Sequence, residues 1–199
     1  KGGKLTDVFD QLTEAGLVAS DIGKNPQTGH VARERRYRLQ DNYARFYLRY
    51  IEPSKDVIDA GAYSFVALDG LDGWNAVVGL QFENLVVNNL PALLGPMNVG
   101  NALVESAAPY RRGKTKAGAG VQIDLLVQTR RAHYIVEVKR QREIGREVIG
   151  EVESKVAKFG HPQGKSIRTV LVYEGVLAPI VETDGYFDAL IPFRSLLGV

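Results

Sequence analysis

No cysteine occurs among the 199 residues, and no uninterrupted apolar run approaches the roughly 18–20 residues that a membrane-spanning helix requires. The lack of cysteine excludes a disulfide scaffold, a cysteine zinc site and a thiol nucleophile, and it fits a reducing cytoplasm. No basic segment followed by an apolar stretch marks a secretory leader. We therefore expect a cytoplasmic protein without membrane contact. Because the chain begins with Lys1, we expect it to be part of a longer protein.

The residues that are present give the composition of a globular protein, 45% hydrophobic and 24% charged, with a net charge of only +2. That net charge conceals an uneven distribution. Residues 107–170 carry 14 basic and 6 acidic side chains, and the segments 111–120 and 138–142 are the most basic. Clustered Lys and Arg create a positive field that suits a polyanion such as DNA. A solvated basic face is the alternative interpretation.

The first part of the chain predicts a helix, a strand, a turn and a second strand, followed by another helix. Apolar residues recur at helical spacing over 5–16, alternation favours strands at 17–20 and 33–39, and Asp41 precedes a helical aromatic pattern over 41–51. Helix, strand, turn and strand form the latter half of a winged helix, in which the hairpin is the wing. We therefore expect a partial winged helix in this region.

A stretch rich in Gly and Asp predicts a linker at 54–73, which separates the partial winged helix (1–53) from a second domain (74–199). The second domain predicts, in order, a helix at 74–90, strands at 121–128 and 133–141 joined by a hairpin, a helix at 146–159, a strand at 167–175, and a short closing strand and helix. These elements indicate an α/β fold built on a mixed sheet.

Charged residues interrupt apolar elements of the second domain at four positions. Glu83 falls on the apolar face of the first helix, Asp124 lies within one strand, and Glu137 and Lys139 lie within the next. Glu137 and Lys139 are two residues apart, so they share one face of the sheet. A buried carboxylate is costly unless a Lys, an Arg or a metal ion compensates its charge. Mg²⁺ is one such cation, because it needs only one or two carboxylates besides waters and a substrate phosphate.

The acidic residues lie in the segments QFENL (81–85), QID (122–124) and EVK (137–139). This arrangement resembles the PD-(D/E)xK nuclease-like superfamily, in which an acidic strand residue is followed by E-x-K in the adjacent strand. Together with the segment RERRYRLQDNYARFYLRYIEP (33–53), it makes nearly the whole chain similar to the C-terminal part of the archaeal-type AAA ATPases. In that family, a P-loop ATPase domain precedes a winged helix and a nuclease-like domain.

The resemblance implies a restriction-endonuclease-like mixed sheet flanked by helices, with a metal-dependent DNA phosphodiesterase site. Asp124 and Glu137, together with Glu83, are expected to bind Mg²⁺ or Mn²⁺, and Lys139 is expected to position a water or a phosphate oxygen. The residues expected to hold the DNA backbone are Arg111, Arg112, Lys114 and Lys116. No proline precedes Asp124, which departs from the literal motif.

The ATPase domain of the family is expected to be a partner upstream in the parent chain. The sequence GKT at 113–115 lacks the earlier glycine and the leading strand of a P-loop, so we predict no bound nucleotide in this chain. Whether the protein forms a homo-oligomer is left open.

Two other functions compete with the nuclease. If the buried charges form a structural salt-bridge network, the domain is a non-catalytic module that binds DNA or protein partners, including its own ATPase domain. Alternatively, the winged helix reads a specific operator. Glu147, Glu151 and Lys155 are predicted to point outward from their helix, although Gln141 and Lys155 could also support the site. The nuclease hypothesis requires Asp124 to lie on the same side of the sheet as Glu137 and Lys139.

Overall fold

The structure is a computed structural model. It describes residues 3–32, 35–64, 67–114, 119–162 and 164–197. The chain divides into two compact units, Lys1–Asp21 with Arg35–Asn84, and Ile22–Glu34 with Leu85–Val199. The boundaries of these two units differ from those of the domains predicted at 1–53 and 74–199. The predicted domain organisation stays a prediction.

The first unit combines short helices with a two-stranded sheet. Its elements are α1 (Gly3–Glu14), β1 (Val18–Asp21), β2 (Arg36–Leu39), α2 (Asn42–Phe46), a π-helical turn (Tyr47–Ile51), a 3-10 turn (Glu52–Ser54), α3 (Lys55–Asp59) and a 3-10 turn (Leu68–Gly70). Helix α4 (Trp74–Asn88) begins in this unit. The predicted strands pair antiparallel, with Val18 opposite Leu39, and the Phe9 ring of α1 stacks on Tyr37 with centroids 4.1 Å apart.

Two local signals fix the ends of helices in this unit. Gly16, two residues after the end of α1, has a φ of +72°, a left-handed conformation that glycine adopts without steric cost. The Asp41 carboxylate accepts a hydrogen bond from the backbone N–H of Ala44 and caps α2. The predicted helix over 41–51 is nevertheless not a continuous α-helix, because its second half is π-helical.

The polar side of α4 is bound by the residues around β2 and α2. Asn84 is 2% exposed, and its amide donates to Gln40 O at 2.6 Å and to Asn42 Oδ1 at 2.9 Å. Gln81 and Asn42 exchange hydrogen bonds through their side-chain amides and backbone carbonyls. Arg38 donates to Asn84 Oδ1 and pairs with Asp21 at 3.0 Å. The buried amide of Asn84 and the half-buried amides of Gln81 and Asn42 are therefore satisfied within the first unit.

The second unit contains a five-stranded mixed sheet flanked by helices. The predicted mixed α/β sheet is confirmed, although the sequence predicts only four of its five strands. Its elements are α5 (Leu90–Leu94), β3 (Val104–Arg112), β4 (Val121–Thr129), β5 (Ala132–Ile144), α6 (Glu147–Phe159), β6 (Ser166–Leu177), α7 (Pro179–Thr183), β7 (Ala189–Pro192) and a 3-10 turn (Phe193–Leu197). The strand order is β3-β4-β5-β6-β7. The first two pairings are antiparallel and the last two are parallel.

Helix α6 is the crossover between the parallel strands β5 and β6, and its apolar face covers the sheet. Val152 and Phe159 of α6 are 0% and 1% exposed, and they belong to one core cluster with Ile123 of β4 and Ile135 of β5. Each such side chain contributes roughly 1.5–3 kcal/mol when it is fully buried. No helix in the described part of the chain is long and apolar enough to cross a membrane.

Candidate active site

An irregularity in β4 determines where Asp124 lies. Between β3 and β4 the register shifts, so that Ala108 faces Leu126 whereas Tyr110 faces Ile123. Strand β4 thus carries one extra residue at this point, which is a β-bulge. As a result, Ile123 and Leu126 both reach the core cluster under α6, although they are an odd number of residues apart.

At the end of the β4–β5 ladder, the side chain of Asp124 accepts a hydrogen bond in place of a backbone carbonyl. The ladder runs from Gln128 opposite His133 to Leu125 opposite Val136. Beyond it, Asp124 Oδ2 accepts the backbone N–H of Val138 at 2.9 Å. This hydrogen bond fixes one carboxylate oxygen on β5 and leaves Oδ1 available for another partner.

Glu137 and Lys139 lie on the face of β5 that α6 covers, as their two-residue spacing predicts. The Glu137 side chain is 3% exposed, and its Oε1 lies 3.4 Å from Lys139 Nζ. Lys139 Nζ also contacts Glu151 Oε2 of α6. Asp124, Glu137 and Lys139 therefore meet the requirement stated for the nuclease hypothesis, that they lie on one side of the sheet.

Lys155 of α6 completes the cluster, and the prediction that it points outward is wrong. Its Nζ contacts Glu137 Oε2 and lies 3.7 Å from Asp124 Oδ1. Its side chain is 22% exposed. Glu151 also turns toward the cluster, because it pairs with Lys139. The i,i+4 spacing of Glu151 and Lys155 suggested an exposed helix pair, but each side chain pairs instead with a residue of the sheet.

The charges of this cluster perturb one another. Burial raises the pKa of Glu137, the neighbouring Asp124 carboxylate raises it further, and Lys155 and Lys139 oppose the rise without cancelling it. For Lys139, burial acts to lower the pKa, but the contacts with Glu151 and Glu137 outweigh it and raise the pKa. The cluster thus holds Lys139 in its charged form beside a carboxyl group, Glu137, whose ionisation is disfavoured.

The donor set fits a single hard cation. No group of three or more His, Cys, Asp and Glu side chains that could hold a metal ion occurs among the described residues. Asp124 Oδ1 and the Glu137 carboxylate are nevertheless oxygen donors of the kind that Mg²⁺ takes, one or two at a time, from a protein. The raised pKa of Glu137 reflects, after burial itself, the repulsion between these carboxylates, which a cation between them relieves. In the structure the Lys155 ammonium supplies that positive charge.

Glu83 lies in the first unit, whereas Asp124, Glu137 and Lys139 lie in the second. Its charge acts on Arg45 and raises the pKa of that guanidinium, although burial and Arg38 lower it overall. A cation near Glu83 is what the sequence predicts, and Arg45 provides one. The role of Glu83 as a further metal ligand stays a prediction.

Of the basic residues predicted to hold DNA, two lie in a strand and a third lies just beyond the end of that strand. Arg111 and Arg112 are the last two residues of β3, an element that the sequence analysis did not predict. Arg111 is exposed, and the Arg112 guanidinium donates to the carbonyl of Lys158 near the end of α6. Lys114 is exposed just beyond the strand. Lys116 lies outside the described residues.

The comparisons with known proteins identify no family. No family model and no curated protein matches the chain. One solved structure, the crystal structure of protein VC1899 from Vibrio cholerae, is similar at 14% sequence identity and a TM-score of 0.43. The similarity covers 98% of this chain and 47% of that protein, so the chain spans about half its length.

Proposed function

We propose that the second unit is a metal-dependent DNA phosphodiesterase domain with a restriction-endonuclease-like fold. One observation carries the proposal: two carboxylates and a lysine from adjacent strands, Asp124, Glu137 and Lys139, meet on the face of the sheet beside α6. The backbone N–H of Val138 orients the first carboxylate. Buried acidic groups with a perturbed pKa are a feature of functional sites.

Each side chain has a chemical role in this proposal. Asp124, through Oδ1, and Glu137 would hold Mg²⁺ or Mn²⁺, which when bound supplies a polarised water and a counter-charge for the phosphate. Lys139 would hold the attacking water or a phosphate oxygen, since its ammonium lies 3.4 Å from Glu137 Oε1 and is itself held by Glu151. Because the pKa of Lys139 is raised, it acts as a fixed positive charge and not as a base.

The basic residues of β3 give the domain a surface for the phosphate backbone. Arg112 reaches the α6 side of the sheet, because its guanidinium binds the carbonyl of Lys158, three residues after Lys155. Arg111, which precedes Arg112 in the strand, and Lys114 are exposed. If each contacts a phosphate, alanine at either exposed position should weaken DNA binding and reduce the slope of log K against log salt by about 0.9. Arg130→Ala, in the β4–β5 hairpin, is the matched control.

The second part of the proposal is a partial winged helix attached to an upstream P-loop ATPase domain, and the first unit supports the winged helix. Its helix α1 precedes an antiparallel hairpin, which is the order of a recognition helix and wing. Leu5 and Val8 of α1 are 62% and 49% exposed, an apolar face of the kind that further helices cover.

The test of the proposal is nucleic-acid cleavage by the full 199-residue chain. Plasmid DNA, single-stranded DNA and RNA are each incubated with Mg²⁺ or Mn²⁺. We expect cleavage of DNA that requires the metal and that falls on the order of 100-fold or more in Asp124→Asn and Glu137→Gln. Glu143→Gln, an exposed acid on the same strand, should retain it. Absence of cleavage of every substrate with either metal would overturn the proposal.

A second candidate function is a non-catalytic nuclease-fold module, and the position of Lys155 favours it. An ammonium that contacts both carboxylates can replace a metal ion as a permanent structural counter-charge. The domain would then bind DNA or a protein partner without cutting. In that case, DNA binding should be insensitive to Mg²⁺ and unchanged in Asp124→Asn.

A further inference from the structure

The carboxylates that would hold a metal already share a cation in the form of the Lys155 ammonium. Lys155 Nζ contacts Glu137 Oε2 and lies 3.7 Å from Asp124 Oδ1. Asp124 Oδ2 is engaged by the Val138 N–H, so Oδ1 is the oxygen that both Lys155 and a metal would use. A divalent ion and an ammonium repel each other when they share the same two oxygens. The ammonium must therefore move away before a metal can bind.

Lys139, unlike Lys155, does not have to leave the site when a metal binds. Its Nζ pairs with Glu137 Oε1 and with Glu151 of α6, and no contact joins it to Asp124 among the ion pairs of the described residues. Lys139 can keep Glu151 as its partner when a metal binds to Glu137. Lys155 would lose both of its partners and would need a new anion.

The structure points to what that anion is. Lys155 is a helix residue whose side chain is 22% exposed, so its four-carbon stem can swing toward the surface without unfolding α6. A DNA phosphate that enters the site is a singly charged anion, and lysine binds phosphates as a point charge. The basic surface of Arg112 near the end of α6 would bring such a phosphate to the same side of the sheet.

We propose that Lys155 is an internal counter-ion that a DNA phosphate draws away from Asp124 and Glu137, so that DNA binding and metal binding reinforce each other. This inference rests on the proposed function, because it concerns the same site. It makes Lys155 a positioning residue whose side chain disfavours metal binding until nucleic acid arrives. By linkage, the metal tightens DNA binding by the same factor as DNA tightens metal binding.

The experiment measures Mn²⁺ affinity, not activity. Bound Mn²⁺ is determined by electron paramagnetic resonance for the full chain and for Lys155→Met, with and without a cleavage-resistant phosphorothioate duplex. The Glu137→Gln variant provides the blank for Mn²⁺ held by the duplex or elsewhere on the protein. Lys158→Met, on the next turn of α6, is the matched control, since the Lys158 contact to Arg112 uses only its backbone carbonyl.

We expect Lys155→Met to bind Mn²⁺ about tenfold or more tightly than the unchanged chain when DNA is absent. We expect the duplex to raise Mn²⁺ affinity of the unchanged chain by a similar factor and that of Lys155→Met by much less. Lys158→Met should behave as the unchanged chain does. Lys155→Gln serves as a second variant if thermal unfolding shows that the methionine variant has not folded.

The outcomes separate this inference from the proposed function. If Lys155→Met and Lys155→Gln bind Mn²⁺ no more tightly than the unchanged chain, while Glu137→Gln abolishes binding, the inference is wrong and the metal site stands. Weaker binding in both variants also overturns it, since Lys155 would then assist the metal. Absence of Glu137-dependent Mn²⁺ binding in every protein, with and without DNA, overturns the inference and the proposed function together.

Discussion

Asp124 Oδ2 accepts the backbone N–H of Val138 at 2.9 Å, so a side chain of β4 takes the place of a backbone carbonyl in the β4–β5 ladder. The last regular pair at this end is Leu125 opposite Val136. A single residue thereby combines two functions, since one carboxylate oxygen satisfies a strand N–H and the other faces Lys155 at 3.7 Å. The stability of the sheet and the chemistry of the site are therefore coupled at this position.

Substitution of Asp124 should separate these two functions. Asp124→Asn retains an acceptor for the Val138 N–H, so we expect it to lose less unfolding free energy than Asp124→Ala, although it removes the charge that faces Lys155. Asp124→Ala leaves that N–H without its acceptor, and we expect a loss of about 1–3 kcal/mol. Both variants should lose Mn²⁺ binding. Urea unfolding measures the difference, and equal stability of the two variants would contradict the structural role of the hydrogen bond.

Glu137→Gln should increase stability at neutral pH while it removes metal binding. The pKa of Glu137 is raised by burial and by Asp124, so ionisation of this carboxyl opposes folding. The favourable contribution of the protonated form is complete below the unfolded pKa of 4.5, and it is lost as the pH rises through the folded pKa. Glutamine imitates the protonated form at every pH. Its lysine neighbours are not stranded, because Lys155 keeps Asp124 and Lys139 keeps Glu151.

We expect a gain of about 0.5–1.5 kcal/mol in Glu137→Gln at pH 7, which shrinks as the pH approaches 4.5. Urea unfolding at several pH values measures it. Glu151→Gln, which changes a half-exposed partner of Lys139, should alter stability by less than about 0.5 kcal/mol. A loss of more than 1 kcal/mol in Glu137→Gln would show that its two ion pairs outweigh its burial.

The sequence predicts four of the five strands of the sheet because its central strands are continuous apolar runs. The runs at 121–128 and 133–141 are so apolar that Asp124, Glu137 and Lys139 stand out as exceptions. The shared face of Glu137 and Lys139 follows from spacing alone. The position of Asp124 depends also on the bulge in β4 opposite β3. The location of that bulge is set by how the two strands pair, which the sequence of β4 alone does not reveal.

Two parts of the site could not be predicted for identifiable physical reasons. Strand β3 reads VESAAPYRR, which lacks a branched aliphatic run and contains Pro109, yet proline is tolerated on an edge strand and at a register shift. Lys155 lies one helical turn after Glu151, a spacing that is typical of an ion pair on the exposed face of a helix. The length of its side chain lets it reach the sheet from the margin of the α6 interface.

Gly175 should tolerate no side chain, because two residues of β5 bulge toward it. Arg140 lies opposite Glu174 and Glu143 opposite Val176, so Gln141 and Arg142 share the place opposite Gly175. Its φ is +131°, and a Cβ there would lie 1.8 Å from the Gln141 carbonyl oxygen. Lys139, opposite Tyr173, lies two residues before the bulge, so a shift of β5 would also move the site.

We expect Gly175→Ala to lower the unfolding free energy by about 2–4 kcal/mol, from the collision and the strained backbone together. Gly150→Ala is the matched control, since a Cβ on this residue of α6 meets nothing within 4 Å. It should stabilise the protein by about 0.5–1 kcal/mol through helix propensity. Thermal or urea unfolding of both variants tests the contrast, and a Gly175→Ala protein as stable as the unchanged chain would contradict the described β5–β6 register.

His133 should make the protein sensitive to acid. Its side chain is fully buried beside the Phe159 ring, and neither ring nitrogen has a hydrogen-bond partner among the described residues. Burial above all, together with the charge of Lys165 and against a smaller opposing effect of Glu105, lowers the pKa of His133 from 6.5 to about 4. Between these two values the unfolded chain takes up a proton that the folded protein does not. Stability is therefore lost as the pH falls from 6.5 toward 4.

The expected loss attributable to His133 is at most about 3 kcal/mol across that interval. His133→Leu removes the titrating group and the unsatisfied ring nitrogens, so it should unfold at pH 4.5 with a free energy much closer to its own value at pH 7. His161→Leu, at an exposed histidine, should keep the acid sensitivity of the unchanged chain. Urea unfolding at pH 4.5 and 7 measures each difference. If His133→Leu loses as much stability in acid as the unchanged chain, the sensitivity arises from other groups and the buried imidazole is not its source.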